Sequence, residues 1–361
     1  LLVGVDNVDE GIKLRDDLNN ILKGGGFELY KWASNETKLL PNQDSENNTA
    51  VVRLDSNFET KALGLTWNCQ RDLFKYQLAA IKLPKVATKR NVLSIIAKIF
   101  DPLGLLSPML IVAKILLQKL WQLKLNWDEP IPSELSETFH HFCANLHRID
   151  EFVIPRCINY FSPQILELHG FCDTSKEAYG AAIYVVAVGE NKQRQINLLC
   201  SKSRVAPLKP TTIPRLELCA AVLLAKLTVK IINTLDICVG KIYLWSDSMI
   251  TLSWIAAEPK RWEPFVAHRV AAIQEMTKRE QWHYVNSQQN PADIITRGMC
   301  PSDREKFIIW FHGPAFLLKD SSHWPKPPSH VTELPPERRN VTLMSQTQPD
   351  LNVFHRVSTY K

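Results

Sequence analysis

The 361 residues carry 43 Lys and Arg against 37 Asp and Glu, a formal net charge of +6, with 45% hydrophobic and 22% charged side chains. That balance excludes wholesale disorder, and at roughly 150 residues per domain the length leaves room for two or three packed cores. The longest apolar stretch, 91–121, is interrupted by Lys98, Asp101, Pro102, Pro108 and Lys114, so it offers no clean window of roughly 20 residues for a bilayer span.

Taken in chain order, 1–5 reads as a short strand and 8–23 as a helix with apolar spacing (Val8, Ile12, Leu18, Ile21, Leu22), stopped by Gly24-Gly25-Gly26. Residues 27–32 return to strand character, and 34–49 is polar loop. Residues 62–67 and 73–78 flank the polar turn 68–72, a hairpin signal. Helical spacing then runs over 88–99, breaks at Asp101-Pro102-Leu103-Gly104, resumes over 109–125, and returns over 136–146. A boundary falls near 154–164. Beyond it, 165–173, 179–188 and 196–201 predict an antiparallel meander. A long helix follows, capped by Thr211 or Thr212, with Pro214 in its first turn. A strand at 241–247, helices at 248–256 and 265–277, a strand at 282–285 and a helix from Pro291 to Arg297 complete a mixed sheet with helices against it. After Gly313 the prolines 314, 325, 327, 328, 335 and 336 predict an extended connector.

Eight cysteines are scattered without a Cys-x-x-Cys pair, which predicts reduced core thiols and an intracellular setting. The chain opens on Leu1 with no initiator Met and no leader pattern, and reads as a fragment or processed piece.

Four acids stand at element ends: Asp173 and Asp247 close strands, Glu217 sits in the first turns of the long helix, and Asp293 opens the last one. Strand carboxyl ends are where open sheets place ligands. Glu217 lies between Leu216 and Leu218, an unfavourable place for a charge without a cation to face. Four converging carboxylates repel one another unless divalent metal neutralises them, and hard oxygen donors without a Cys/His cluster favour Mg²⁺ or Mn²⁺. Two such ions about 4 Å apart support in-line phosphodiester displacement.

The wording of these segments is itself recognisable. FCDTSKEAYGAAIYV (171–185), IPRLELCAAVLLAKL (213–227), YLWSDSMITLSWI (243–255) and NPADIITRG (290–298) resemble the ribonuclease H region of BEL/Pao-type LTR retrotransposon polyproteins. LGLTWNCQRDLFKYQL (63–78) and the run 88–121 resemble the reverse transcriptase of the same polyproteins, at its primer-grip hairpin and thumb-to-connection segment. Residues 1–35 resemble the palm just after the Tyr-x-Asp-Asp turn, whose two aspartates are missing here, so DNA synthesis by this chain alone is not expected.

The resemblance implies an α/β chain, α+β overall, in four parts: a truncated reverse-transcriptase palm (1–85), a helical thumb/connection-like segment (86–160), a ribonuclease H-like mixed five-stranded sheet with flanking helices (161–312), and a Pro-rich connector (313–361) toward a missing integrase. It assigns Asp173, Glu217, Asp247 and Asp293 to a tetrad that is both catalytic and metal-binding, holding two Mg²⁺ or Mn²⁺ ions. The partners it implies are an RNA·DNA hybrid and the rest of the polyprotein, upstream palm and fingers and downstream integrase, with no membrane. The setting would be the cytoplasm, a virus-like particle or the nucleus. One departure stands out: the loop 286–290, Asn-Ser-Gln-Gln-Asn, lacks the mobile His that many relatives carry before the last Asp, and His283 on the preceding strand reads as a packing or surface residue.

A hybrid is bound chiefly through phosphates and groove shape, which calls for basic and aromatic residues near the acids. Lys202, Arg204, Arg215, Lys260, Arg261 and Trp262 are the candidates, against the plain alternative of solvated basic loops; Trp245 and Trp254 read as core. Two other functions compete. A noncatalytic remnant would keep the fold as a nucleic-acid-binding or interaction module. A Pao-type aspartic peptidase would need Asp-Thr/Ser-Gly, and both Asp173-Thr174-Ser175 and Asp247-Ser248-Met249 lack the glycine.

Overall fold

The computed structural model describes residues 3–5, 7–29, 32–40, 59–62, 65–76, 84, 86–157, 165–235, 239–300, 302–328 and 336–339. Near the start, α1 (Val8–Gly24) forms where the spacing places it. Asn7 caps it by accepting from Glu10 N at 2.9 Å, and Gly26, at φ 77°, takes the left-handed conformation that ends the helix. The strands expected on either side are not found. Residues 3–5, 27–29 and 32 belong to no sheet, because no strand among the described residues runs beside them to satisfy their backbone; residues 1, 2, 30 and 31 lie outside the described residues.

The expected hairpin is part of a four-stranded antiparallel sheet, β1 (Glu59–Ala62), β2 (Leu65–Asn68), β3 (Leu73–Lys75) and β4 (Val153–Pro155), in that order. Residues 63, 64, 77 and 78 of the hairpin lie outside the described residues. Three helices separate β3 from β4: α2 (Lys89–Ala97), α3 (Ser107–Gln122) and α4 (Ser133–Asn145). The break between α2 and α3 is organised by Asp101, which accepts from Leu105 N and Leu106 N, both at 2.9 Å, and from Tyr76 Oη at 2.7 Å. Gly104 sits there at φ 74°, and a Cβ on it would lie 2.0 Å from Ser201 O, so only glycine lets this turn meet the second sheet.

That second sheet has five strands in the order β7-β6-β5-β8-β9. β5 (Ile165–Thr174), β6 (Ala178–Val188) and β7 (Arg194–Val205) form the meander; β8 (Val239–Ser246) pairs parallel to β5, and β9 (Trp282–Tyr284) parallel to β8. Parallel neighbours need crossovers. The first is α5 (Ile213–Thr234), the second α6 (Met249–Ala256) with α7 (Pro264–Met276); α8 (Ala292–Arg297) and α9 (Arg304–His312) follow β9. Strand alternation sends Leu168, Cys172, Ile183 and Leu244 toward α5, α6 and α7, while Phe171, Tyr184 and Trp245 join the core shared with α3, α8 and α9.

On that second face the apolar side chains of 86–157 and those of β5, β6 and β8 make one continuous core. Ser201 N donates to Leu103 O at 2.9 Å, Lys114 Nζ to Ser203 Oγ at 3.0 Å, and Trp310 Nε1 to Leu105 O at 2.7 Å. The connector expected from Gly313 is likewise partly folded. Phe316, Leu317 and Trp324 are buried in the same core, because Trp245 and Tyr243 offer ring surface that they cover, with Trp324 set edge-on to Tyr243 at 4.7 Å. Beneath them lies a buried polar network. Trp245 Nε1 donates to His169 Nδ1, leaving His169 Nε2–H to donate to Glu167, which Arg194 also binds while donating to Leu317 O at 2.7 Å. Burial holds His169 below the usual imidazole range and therefore neutral.

Candidate active site

Asp173 and Asp247 become neighbours through strand register. Cys172 pairs with Ser246 across the parallel β5/β8 ladder, and each aspartate is the next residue along its chain. The sheet therefore delivers both carboxylates to one carboxyl edge, from strands whose interiors are fixed by packing. Glu217 comes from the second turn of α5, and Ser248, the N-cap of α6, donates its hydroxyl to Glu217. Asp293, in the first turn of α8, arrives from the other side.

Burial pushes the Asp173 carboxyl up, the charges of Asp247 and Asp293 add to it, and the result is about 7. Glu217 is also carried to about 7, by burial first and by Asp247 second, against the Ser248 hydrogen bond. Asp247 is raised by burial and by Asp293. The buried Cys172 thiol feels Asp247, Asp173 and Glu217 together. Asp173, Glu217 and Asp247 thus each sense another acid, as a shared pocket requires.

In this structure each carboxylate is bonded to a separate protein donor. Thr296 Oγ1 donates to Asp173 at 2.8 Å, Ser287 Oγ to Asp247 at 2.6 Å, Ser248 Oγ to Glu217, and Arg297 Nε to Asp293 at 2.5 Å. Accordingly, no three His, Cys, Asp or Glu side chains among the described residues gather into a metal-holding group. The donor set nevertheless suits a divalent ion chemically. It is all hard oxygen, and burial together with the charges of neighbouring carboxylates carries two of its acids to about 7.

Sequence reasoning missed these four donors. Two had local signals: Ser248 follows Asp247 directly, and Arg297 stands four residues beyond Asp293, one helical turn away. Thr296 and Ser287 reach acids 123 and 40 residues distant, which no local pattern encodes. His283 is half-buried against the rings of Tyr243 and Trp245. The loop 286–290 forms a 3₁₀ turn at Ser287–Gln289, and Asn290 anchors it by donating to Cys172 O at 3.0 Å.

The basic candidates divide into two groups. Lys202 and Arg204 are exposed on β7, the outer strand of the sheet. Arg215, Lys260 and Arg261 lie where α5 and α7 meet; Arg215 forms an ion pair with Glu337, and the exposed Lys260 one with Glu258 at 2.8 Å. Trp262 is a correction. It is only 4% exposed, packs among Trp254, Val266 and Val270, and donates its indole N–H to Trp254 O at 3.2 Å, so its ring is core and offers no face for a base.

Residues 88–248 match the family model of the Pao retrotransposon-like RNaseH-like domain. The match spans Asp173, Glu217 and Asp247; Asp293 lies beyond it. Among solved structures, the N-terminal RNase H domain of a Mycobacterium tuberculosis protein, fused to maltose-binding protein, is 13% identical, with 36% of this chain and 91% of that one covered at a TM-score of 0.27. LC11-RNase H1 in complex with an RNA/DNA hybrid is 17% identical over 36% of this chain and 92% of that one, TM-score 0.26. The foamy viral protease-reverse transcriptase in complex with dsDNA is 14% identical over 63% of this chain and 45% of that one, TM-score 0.21. No curated protein matches the chain. No helix among the described residues is long and apolar enough to cross a membrane.

Proposed function

From a chain that carries a Pao retrotransposon-like RNaseH-like domain over residues 88–248, we propose an endonuclease that hydrolyses the RNA strand of RNA·DNA hybrids, with Mg²⁺ or Mn²⁺ held by Asp173, Glu217, Asp247 and Asp293. The observation that carries this reading is the juxtaposition of Asp173 and Asp247 at the carboxyl ends of two parallel strands, within electrostatic reach of Glu217 and Asp293.

Two bound divalent ions would supply an activated water and charge stabilisation for the leaving 3′ oxygen. The protein's own groups prepare for this. Packed strands fix the backbones of Asp173 and Asp247, so their carboxylates need only turn from Thr296 and Ser287 toward an ion. Ser248 orients Glu217 in the same way, and Asp293, held by Arg297, would be the fourth carboxylate available to hold a metal. Lys202 and Arg204 on one side, and Arg215, Lys260 and Arg261 on the other, contact phosphates; Trp262 takes no part.

We further read 1–85 and the helices packed on the sheet as the reverse-transcriptase-derived part of a polyprotein, whose palm and fingers precede this chain and whose integrase follows. The direct test is cleavage of a labelled RNA·DNA duplex. The unsubstituted chain with Mg²⁺ is expected to cut the RNA strand, EDTA to abolish cutting, and Asp247→Asn to reduce it by at least about 100-fold. Equal cutting by the chain and Asp247→Asn, or none by either, rejects the nuclease and leaves the noncatalytic module.

A further inference from the structure

Residues 336–339, far beyond the sheet in sequence, lie against α5, α6 and the start of α7. Backbone and side chain both hold them. Trp254 donates its indole N–H to Pro336 O at 3.0 Å, Glu263 N donates to Glu337 O at 2.8 Å, and Arg339 N donates to Arg261 O at 3.0 Å. Trp262 and Arg338 form an isolated antiparallel bridge, so the segment pairs locally with the 261–263 backbone. Glu337 takes φ 67°, a left-handed conformation that disfavours any residue but glycine and that the docking contacts must offset.

The side chain of Glu337 makes the most specific contact. Arg215 donates Nε to its Oε1 at 2.7 Å and Nη2 to its Oε2 at 2.8 Å, a bidentate pair. The ring of Phe265, 4.8 Å from the guanidinium, packs against it. A guanidinium fork that serves one carboxylate cannot offer the same two N–H groups to a phosphate.

We propose that residues 336–339 are a tethered competitor of the RNA·DNA hybrid: Glu337 occupies the phosphate position at Arg215 while the segment's backbone covers the 261–263 edge. This rests on the reading of Arg215 and Arg261 as hybrid-binding residues. Because the competitor is covalently attached, it acts at high effective concentration without any partner, and the hybrid gains this side of its footprint only as the segment lifts away.

The test follows binding of a fluorescent RNA·DNA duplex by anisotropy, with Ca²⁺ replacing Mg²⁺ to prevent cleavage, for the full chain, Glu337→Ala, Arg215→Ala and the double variant. Glu337→Ala is expected to tighten binding about three- to tenfold. In the Arg215→Ala background the same removal of charge is expected to change nothing. Hydrogen exchange at the amides of Glu263 and Arg339 should rise when duplex is added to the unsubstituted chain. Duplex binding that Glu337→Ala leaves unaltered, with both amides protected at saturation, overturns the competition while hybrid binding stands. No binding by any of the four proteins overturns both readings.

Discussion

Asp173 and Glu217, carried to about 7 in the fold, tie stability to pH. Unfolded, each ionises near 4, so between about 4 and 7 the folded chain holds more protons than the unfolded one. Metal-free stability therefore falls as pH rises through that window and stays low above it. Asp173 alone, moved from 3.8 to about 7, accounts for on the order of 4 kcal/mol of that loss. Urea unfolding in EDTA at pH 5 and pH 8 should show the part of it that lies above pH 5, about 3 kcal/mol, and Asp173→Asn should flatten the difference by that amount; an unchanged pH slope in that variant would contradict the assignment. Mg²⁺ should restore stability at pH 8 much more than at pH 5, because only the ionised acids bind it. The four acids were legible in the sequence because each stands at the end of a strand or in the first turns of a helix. Thr296 and Ser287 were not, since their approach to the acids depends on how distant elements pack.

Among elements, the sheet and its crossovers were legible because alternation and helical spacing agree with the fold from 165 to 297. α9 escaped notice: Phe307, Ile308, Ile309, Trp310 and Phe311 form an unbroken apolar run without a 3.6-residue stripe. The described parts of the strands expected around α1, 3–5, 27–29 and 32, have local strand character but no neighbour among the described residues to pair with. The link between the turn at 101–104 and β7 makes its own prediction. Gly104→Ala puts a Cβ against Ser201 O at a positive φ, and should cost about 2 kcal/mol or more by chemical denaturation, whereas a neutral effect would show that this turn is loosely held. The polar network under β5 makes another. Arg194→Ala removes the cation beside buried Glu167 and should cost about 3–5 kcal/mol; a loss below about 1 kcal/mol would mean that water replaces it.

At the scale of the whole molecule, α2, α3 and α4 share one core with the five-stranded sheet and with residues 316–324. The boundary expected near 154–164 rests on a change of sequence pattern, and the packing across it joins side chains far apart in sequence. The shared core predicts that helix and sheet signals lose structure together in urea, with coincident midpoints, while two separated transitions would restore independent domains. It also makes the four carboxylates a property of the assembled molecule, since Asp293 reaches the strand ends only when α8 is held by α3 and the sheet. The most direct measurement is a crystal structure grown with Mn²⁺ and an uncleaved hybrid, read by anomalous scattering. Manganese is expected between Asp173 and Asp247, with Glu217 and Asp293 turned toward it and Arg297 released. Manganese bound elsewhere, with the four acids still on Thr296, Ser248, Ser287 and Arg297, would contradict it.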